Sequence, residues 1–265
     1  MRESMVIVHL VDAFAERPFA GNPAAVCLLQ QPRKDEWMQQ LACELGYSET
    51  AYVSASGGDF SLRWFTPKVE VALCGHATLA SAHVLWNMGR AKGAIKFNTL
   101  SGELVCEQER GMIYLDLPKK TLEEEPAPVG LLSALHCGRA VAVMRAGTDF
   151  LVELADEASV LAAEPDFRAL ARVSVRGLMI TARSSDPEFD FVSRFFAPGL
   201  GVDEDPVTGS AHCALTPYWG ERLGKTKMRA RQLSARGGVL EAELRGDRVR
   251  LGGRATTVLT GMLVI

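Results

Sequence analysis

No apolar run in the 265-residue chain approaches the roughly 18 residues that would suggest a membrane span, so none is expected. Neither sign of charge dominates: 29 lysines and arginines stand against 32 aspartates and glutamates, a formal net charge of −3. Without a basic excess there is no electrostatic reason to expect nucleic acid or a membrane surface as partner. The N-terminal "MRESMVIVHLVD" lacks a small-residue cleavage site, so it reads as a first strand and not as a signal peptide. The six cysteines form no C-x-x-C pair. In a chain this long that scatter reads as free thiols in a reducing compartment. Zinc is disfavoured too, because His136-Cys137 and His212-Cys213 are adjacent and lack the separation that chelates one ion.

Apolar residues make up 48% of the chain and charged residues 23%, enough for one large core or two smaller ones. Self-similarity decides for two. "FSLRWFTP" (60–67) recurs as "FVSRFFAP" (191–198), and "FNTLSGELVCEQERGMIYLDL" (97–117) recurs loosely as "ARQLSARGGVLEAELRGDRVRL" (230–251). Pro67 to Pro198 is a shift of 131, Gly75 to Gly209 one of 134, and Ser101 to Ser234 one of 133. A repeat this long exceeds the roughly 20–50 residues of solenoid units and matches two ordinary domains. The expected division is a first domain over 1–118 plus 255–265 and a second over 128–254. The acidic, proline-bearing stretch at 119–127 between them reads as a linker.

Each half is strand-rich, with short runs such as "AAVCLL", "TAYVSA" and "MIYLDL" bounded by Gly, Pro or Ser. In "RKDEWMQQLACELG", Trp37, Leu41 and Leu45 share a helical face and Gly46 stands where a C-terminal cap would. "GHATLASAHVLWNMG" is rich in small residues and suits the middle of a curled sheet. Its counterpart "GSAHCALTPYWGERLG" carries Pro217, which should distort the helix by removing an amide donor. The predicted fold class is α+β: two similar domains, each a curled mixed sheet around a central helix, related by a pseudo-twofold axis.

Under that symmetry the two helix starts can face one another across an interdomain cleft and offer unpaired amides to an anion. The residues beside them are Cys74, Gly75 and His76 in one half, and Asp205, Thr208, Gly209 and Ser210 in the other. Gly75 and Gly209 can equally be tight-turn glycines, His76 a core or capping histidine, and Asp205-Pro206 a turn opener. Glu49, at the start of an apolar strand-like run, is either a solvated edge carboxylate, which the alternation alone favours, or an inward group. If inward, it is a single proton carrier, because "RGLMITA" at the comparable place in the second half has no acid.

"VDAFAERPFAGNPAAV" (11–26), "SETAYV" (48–53), "RWFTPKVEVALCGHATLASAHVL" (63–85) and "DEDPVTGSAHCAL" (203–215) together resemble the PhzF family of phenazine-biosynthesis-like isomerases. The resemblance spans essentially the whole chain and implies a diaminopimelate epimerase-like fold. It implies a cofactor-free proton shift, similar to trans-2,3-dihydro-3-hydroxyanthranilate isomerase, and a cytoplasmic homodimer acting on a small carboxylic acid. Matched motif by motif, the glutamate of S-E-T is Glu49, the proton carrier, and His76, Asp205 and Ser210 complete the site. Amides near Gly75 and Gly209 would hold the substrate's carboxylate. Related racemases use two cysteines, one at each helix start; here Cys74 aligns with Thr208, whose alkoxide is too basic to mirror a thiolate. A racemase or epimerase and a non-catalytic binding protein are the alternatives.

Overall fold

The computed structural model describes residues 6–264; the first five residues of the stretch read as a strand, and Ile265, lie outside the described residues. The chain divides into two compact units, one of residues 1–116 with 252–265 and one of residues 117–251.

The first unit runs β1 (Ile7–Ala13), β2 (Asn22–Leu29), α1 (Asp35–Leu45), β3 (Thr50–Ser56), β4 (Asp59–Phe65), β5 (Glu70–Val71), α2 (Gly75–Asn87), β6 (Ile95–Thr99), β7 (Gly102–Glu109) and β8 (Met112–Pro118). The second runs β9 (Glu123–Glu124), α3 (Leu131–Ala134), β10 (Ala140–Ala146), β11 (Asp149–Leu154), α4 (Glu157–Ala162), α5 (Phe167–Leu170), β12 (Gly177–Arg183), β13 (Phe191–Ala197), β14 (Val202–Asp205), α6 (Gly209–Leu223), β15 (Lys227–Gln232), β16 (Gly238–Arg245) and β17 (Arg248–Gly253). The last strand, β18 (Ala255–Met262), returns to the first unit and pairs antiparallel with β1 along its whole length.

The repeat seen in the sequence is a repeat of strand pairing. In the first unit β1–β2 is antiparallel, β2–β3 parallel, β3–β4 antiparallel, and β4 takes β5 antiparallel and β6 parallel. In the second the same order of senses runs through β10–β11, β11–β12, β12–β13, β13–β14 and β13–β15. In each unit the central helix enters between the short strand and the parallel partner that follows it.

α2 buries His76, Ala77, Thr78, Leu79, Ala80, Ser81, Ala82, Val84 and Leu85, nine of its 13 residues. A helix that is buried nearly all round belongs inside a sheet and not upon one, and α2 packs on β1, β2, β3 and β18. Its alanines and serine keep the axis close to the strands. The other sheet face is covered by α1, whose Met38, Leu41 and Ala42 are buried against Val8, Ala25, Cys27, Tyr52 and Phe65. Trp37 and Leu45, expected on that face, flank it half-buried. The cap is as expected: Gly46 takes φ 69° and returns its amide to the Ala42 carbonyl at 3.1 Å.

In the second unit α6 packs Ala211, Ala214, Leu215, Tyr218 and Trp219 against β11, β12, β13 and β15. Trp219 stacks on Phe191 and donates its indole N–H to the Thr181 hydroxyl at 2.9 Å, so a buried polar tip is satisfied. α3, α4 and α5 cover the opposite face through Leu131, Val160 and Leu170.

α6 runs unbroken through Pro217. Proline has no amide to give the Cys213 carbonyl, four residues back, and the Lys120 amide supplies that donor at 3.0 Å. The stretch 119–127, read from its composition as a linker, is therefore bonded into the second unit. The Lys119 amide donates to the Asp247 carbonyl at 2.9 Å, and β9 pairs with β10 at Glu123–Arg145 and Glu124–Met144.

All six cysteines are free thiols. Burial pushes Cys27 up to about 12 and raises Cys106 as well, so both are inert packing groups at neutral pH. Among the described residues no helix is long and apolar enough to cross a membrane.

Candidate functional site

In the first unit three chain segments converge at the start of α2. Glu49 precedes β3, Asn22 is the first residue of β2, and Cys74 is the N-cap of α2 with Gly75 and His76 opening the helix. Cys74 is extended (φ −144°, ψ 109°) and makes no side-chain cap to the first-turn amides; its thiol points instead at the imidazole.

His76 is buried, with Nδ1 3.2 Å from the Asn22 amide nitrogen and 3.6 Å from Cys74 Sγ. The Asn22 carboxamide can serve Nδ1 either way: with its nitrogen turned to the ring the proton belongs on Nε2, and with its oxygen turned there the proton belongs on Nδ1. Nε2 faces Glu49 Oε2 at 3.3 Å and Ser48 Oγ at 3.5 Å. Oε2 itself is buried and has no hydrogen-bond donor at proper geometry, although the Glu49 side chain as a whole is 19% exposed. Burial pushes the Glu49 carboxyl above its ordinary range, with hydrogen bonds from Ser48 and Cys74 opposing that shift. The solvated edge placement that alternation favoured is not the one adopted: the carboxylate end is held dry, facing an imidazole. A buried carboxyl with an unpaired oxygen is suited to taking and returning a proton.

The second unit presents a different set. Asp205 ends β14, Thr208 is the N-cap of α6, and Gly209 and Ser210 open that helix. Thr208 is extended (φ −112°, ψ 98°) like Cys74, so the alignment of these two residues is an equivalence of N-caps. The Thr208 hydroxyl donates in a short bond to Asp205 Oδ2. A fully buried residue, Gln232, ties this turn together. Its Oε1 accepts from the Thr208 amide at 2.9 Å, and its Nε2 donates to the Asp205 carbonyl at 2.7 Å. Sequence reasoning passed over Gln232, which stands in "ARQLS" with no motif to mark it; the loose repeat around it was the only signal. It passed over Asn22 and Ser48 as well, though both lie in the stretches that carry the family resemblance.

Replacing Gln232 by leucine removes the side-chain partner of the buried Thr208 amide and one partner of the Asp205 carbonyl, and a buried group left unsatisfied costs about 1–3 kcal/mol. The expected loss is roughly 2–4 kcal/mol of unfolding free energy, read by urea denaturation. An unchanged midpoint would show that the turn holds itself.

Glu49 has no counterpart in the second unit. Phe65 and Phe196 are equivalent in the repeat and pair with Thr50 and Leu178 respectively, so the residue before β3's Thr50 corresponds to Gly177. A side chain there is excluded, since an added Cβ would lie 2.2 Å from the Phe195 ring. The second histidine of the region, His212, is wholly buried on the Thr208 carbonyl, and burial lowers it to about 4, so it is neutral at pH 7.

The family described as "Phenazine biosynthesis-like protein", PhzC-PhzF, matches residues 11–261. A protein of Pseudomonas aeruginosa named an uncharacterized isomerase is 50% identical over 257 residues, covering 97% of this chain and 98% of its own. A PhzF-family crystal structure from Enterococcus faecalis superposes with a TM-score of 0.94 at 41% identity, covering 98% of this chain and 100% of that one. A hydroxyproline epimerase from Agrobacterium vitis, with trans-4-hydroxy-L-proline bound, gives a TM-score of 0.63 at 11% identity over 99% and 93% of the two chains. That last likeness speaks for the epimerase-like fold alone.

Proposed function

The chain belongs to the PhzC-PhzF family of phenazine biosynthesis-like proteins, and from that premise we propose that it is a cofactor-independent isomerase of a small carboxylic acid. The observation that carries this reading is the Glu49 carboxyl: one buried oxygen without a donor, and the His76 imidazole 3.3 Å away. Glu49 takes a proton from one carbon and returns it to another on the same face, in the manner of the trans-2,3-dihydro-3-hydroxyanthranilate isomerase. His76, Asp205 and Ser210 orient the substrate's polar groups. Amides near Gly75 and Gly209 receive its carboxylate, since helix starts favour anions. Such fixed placement lowers the barrier by holding carbon and carboxyl in reacting geometry. A cytoplasmic homodimer belongs to the same reading.

A racemase needs acid and base on opposite faces of one carbon. Thr208 at the position of Cys74, and Gly177 at that of Glu49, speak against a symmetric pair.

The test is NMR of candidate small carboxylic acids with the protein in deuterated buffer. The expected result is a double-bond shift in one class of cyclic or unsaturated acid, with label appearing at the receiving carbon. Exchange confined to the α-carbon of amino acids, with inversion there, would replace this reading by the racemase.

A further inference from the structure

Glu49, Cys74 and His76 are not adjacent in sequence, and no spacing announces them as a set. Folded, they bring a carboxylate oxygen, a thiol sulfur and an imidazole nitrogen within 4.8 Å of one another. The edges agree with a metal polyhedron. Nε2 stands 3.3 Å from Glu49 Oε2 and 4.0 Å from Cys74 Sγ. With ligand distances near 2.0–2.3 Å, a tetrahedral zinc ion has N···O edges of about 3.4 Å and N···S edges of about 3.6 Å. The N···O edge already fits, the N···S edge is longer by a few tenths of an ångström, and the O···S edge lies within 4.8 Å, so the sulfur closes in on binding.

The surroundings agree as well. Oε2 is a buried oxygen that no donor satisfies. Asn22 stands 3.2 Å from Nδ1; with its carboxamide turned by half a revolution, its oxygen accepts the Nδ1 proton and Nε2 is left with a lone pair. That is the outer-shell bond that metal-bound histidines keep. One thiolate and one carboxylate neutralise a doubly charged ion, and the thiol gives its proton to solvent on binding. A sulfur ligand selects against Mg²⁺ and Ca²⁺, which require oxygen.

We propose that Glu49, Cys74 and His76 form a three-ligand site for a thiophilic divalent cation, Zn²⁺ in particular, and that the bound ion switches the protein off. The ion takes the lone pair of the proton carrier and the face of His76 together, so it competes with substrate. The site itself stands apart from the isomerase reading, and only the effect on turnover rests on that reading.

The test uses the metal-free full-length chain and no substrate. Co²⁺ is the spectroscopic probe and Zn²⁺ the competitor. The expected result is one Co²⁺ per chain with a thiolate-to-metal band and the intense visible bands of four-coordination, all displaced by Zn²⁺. Cys74→Ala is expected to abolish the thiolate band and to weaken Zn²⁺ by more than the roughly 10–100-fold of an outer-shell loss. Asn22→Ala is expected to fall within that 10–100-fold range. Cys43→Ala, which removes an exposed thiol on α1, is expected to leave binding unchanged. Cys74→Ser keeps a side chain of similar shape and is expected to lose the band with its melting temperature retained, which separates ligation from folding. The proposal is overturned if the wild-type chain takes up neither ion at millimolar concentration. Retention of the thiolate band in both Cys74 variants, or its loss in Cys43→Ala, overturns it equally.

Discussion

Glu49→Gln is expected to lower turnover by about 10²–10⁴-fold, the range of one general acid–base group, and to make the folded protein more stable at neutral pH. The first effect follows from chemistry: an amide has the shape of the carboxyl but can neither accept nor return the proton. The second follows from linkage. Burial raises the Glu49 carboxyl in the folded state above its ordinary 4.5. The folded state therefore binds the proton more tightly than the unfolded one, and stability falls as pH rises from 4.5 through the raised value. The glutamine side chain carries no such penalty. Its gain in melting temperature should be present at pH 7 and vanish below about pH 4.5, where both side chains are neutral. The acid limb of the wild-type kcat/KM profile should likewise lie above 4.5 and be absent from any residual activity of the variant. A variant that keeps near wild-type turnover would remove Glu49 from the mechanism, and one that melts lower at pH 7 would contradict the cost assigned to its burial.

Gly21→Ala is expected to cost roughly 3–5 kcal/mol, from left-handed backbone strain together with overpacking. Gly21 holds φ 65° in the loop between β1 and β2. An added Cβ would lie 2.1 Å from the Ala13 carbonyl oxygen and 2.8 Å from the Ala15 Cβ, and neither is the end of a flexible side chain. The loop has little slack. Phe14 and Phe19 already stand at φ 56° and 67°, and the Phe19 amide is tied to buried Asp12 at 2.7 Å. Asn22 follows directly and steadies His76, so the same substitution should disturb the candidate site in whatever fraction still folds. Urea denaturation measures the loss; a change under about 1 kcal/mol, that of an ordinary substitution, would show that β1 and β2 can part without cost.

Much of the fold was legible because the two halves repeat their landmarks. Pro67 and Pro198 mark equivalent strand ends, and the small residues after Gly75 announced a helix with strands pressed close to it. The central placement of α2 and the return of the last strand to β1 follow the same logic of covering an apolar helix. At 119–127 acids and prolines suggested a linker, and composition left unmarked the backbone bonds that fasten the stretch to the second unit. The Lys119 and Lys120 amides are backbone groups, and no side-chain pattern reveals where an amide donates. The candidate site was legible by motif and illegible by physics. Alternation shows which residues of a strand share a face, but not which face is dry, so it placed Glu49 in solvent. Gln232 was invisible for a related reason, since its role is to answer two backbone groups that only the folded turn brings to it.

The position of β18 sets an order on synthesis. Every residue of β1 from Ile7 to Ala13 finds its second neighbour in residues 255–262, after the whole of the second unit has been made. Residues 117–251 are contiguous and can complete their sheet and wrap α6 as they leave the ribosome. The first unit has to wait with one side of β1 unpaired, a long-range closure of the kind that slows folding and exposes a strand edge to other chains. The half that carries Glu49 is thus the last to become whole. The nascent chain acquires its proton carrier's final surroundings only when its closing strand arrives.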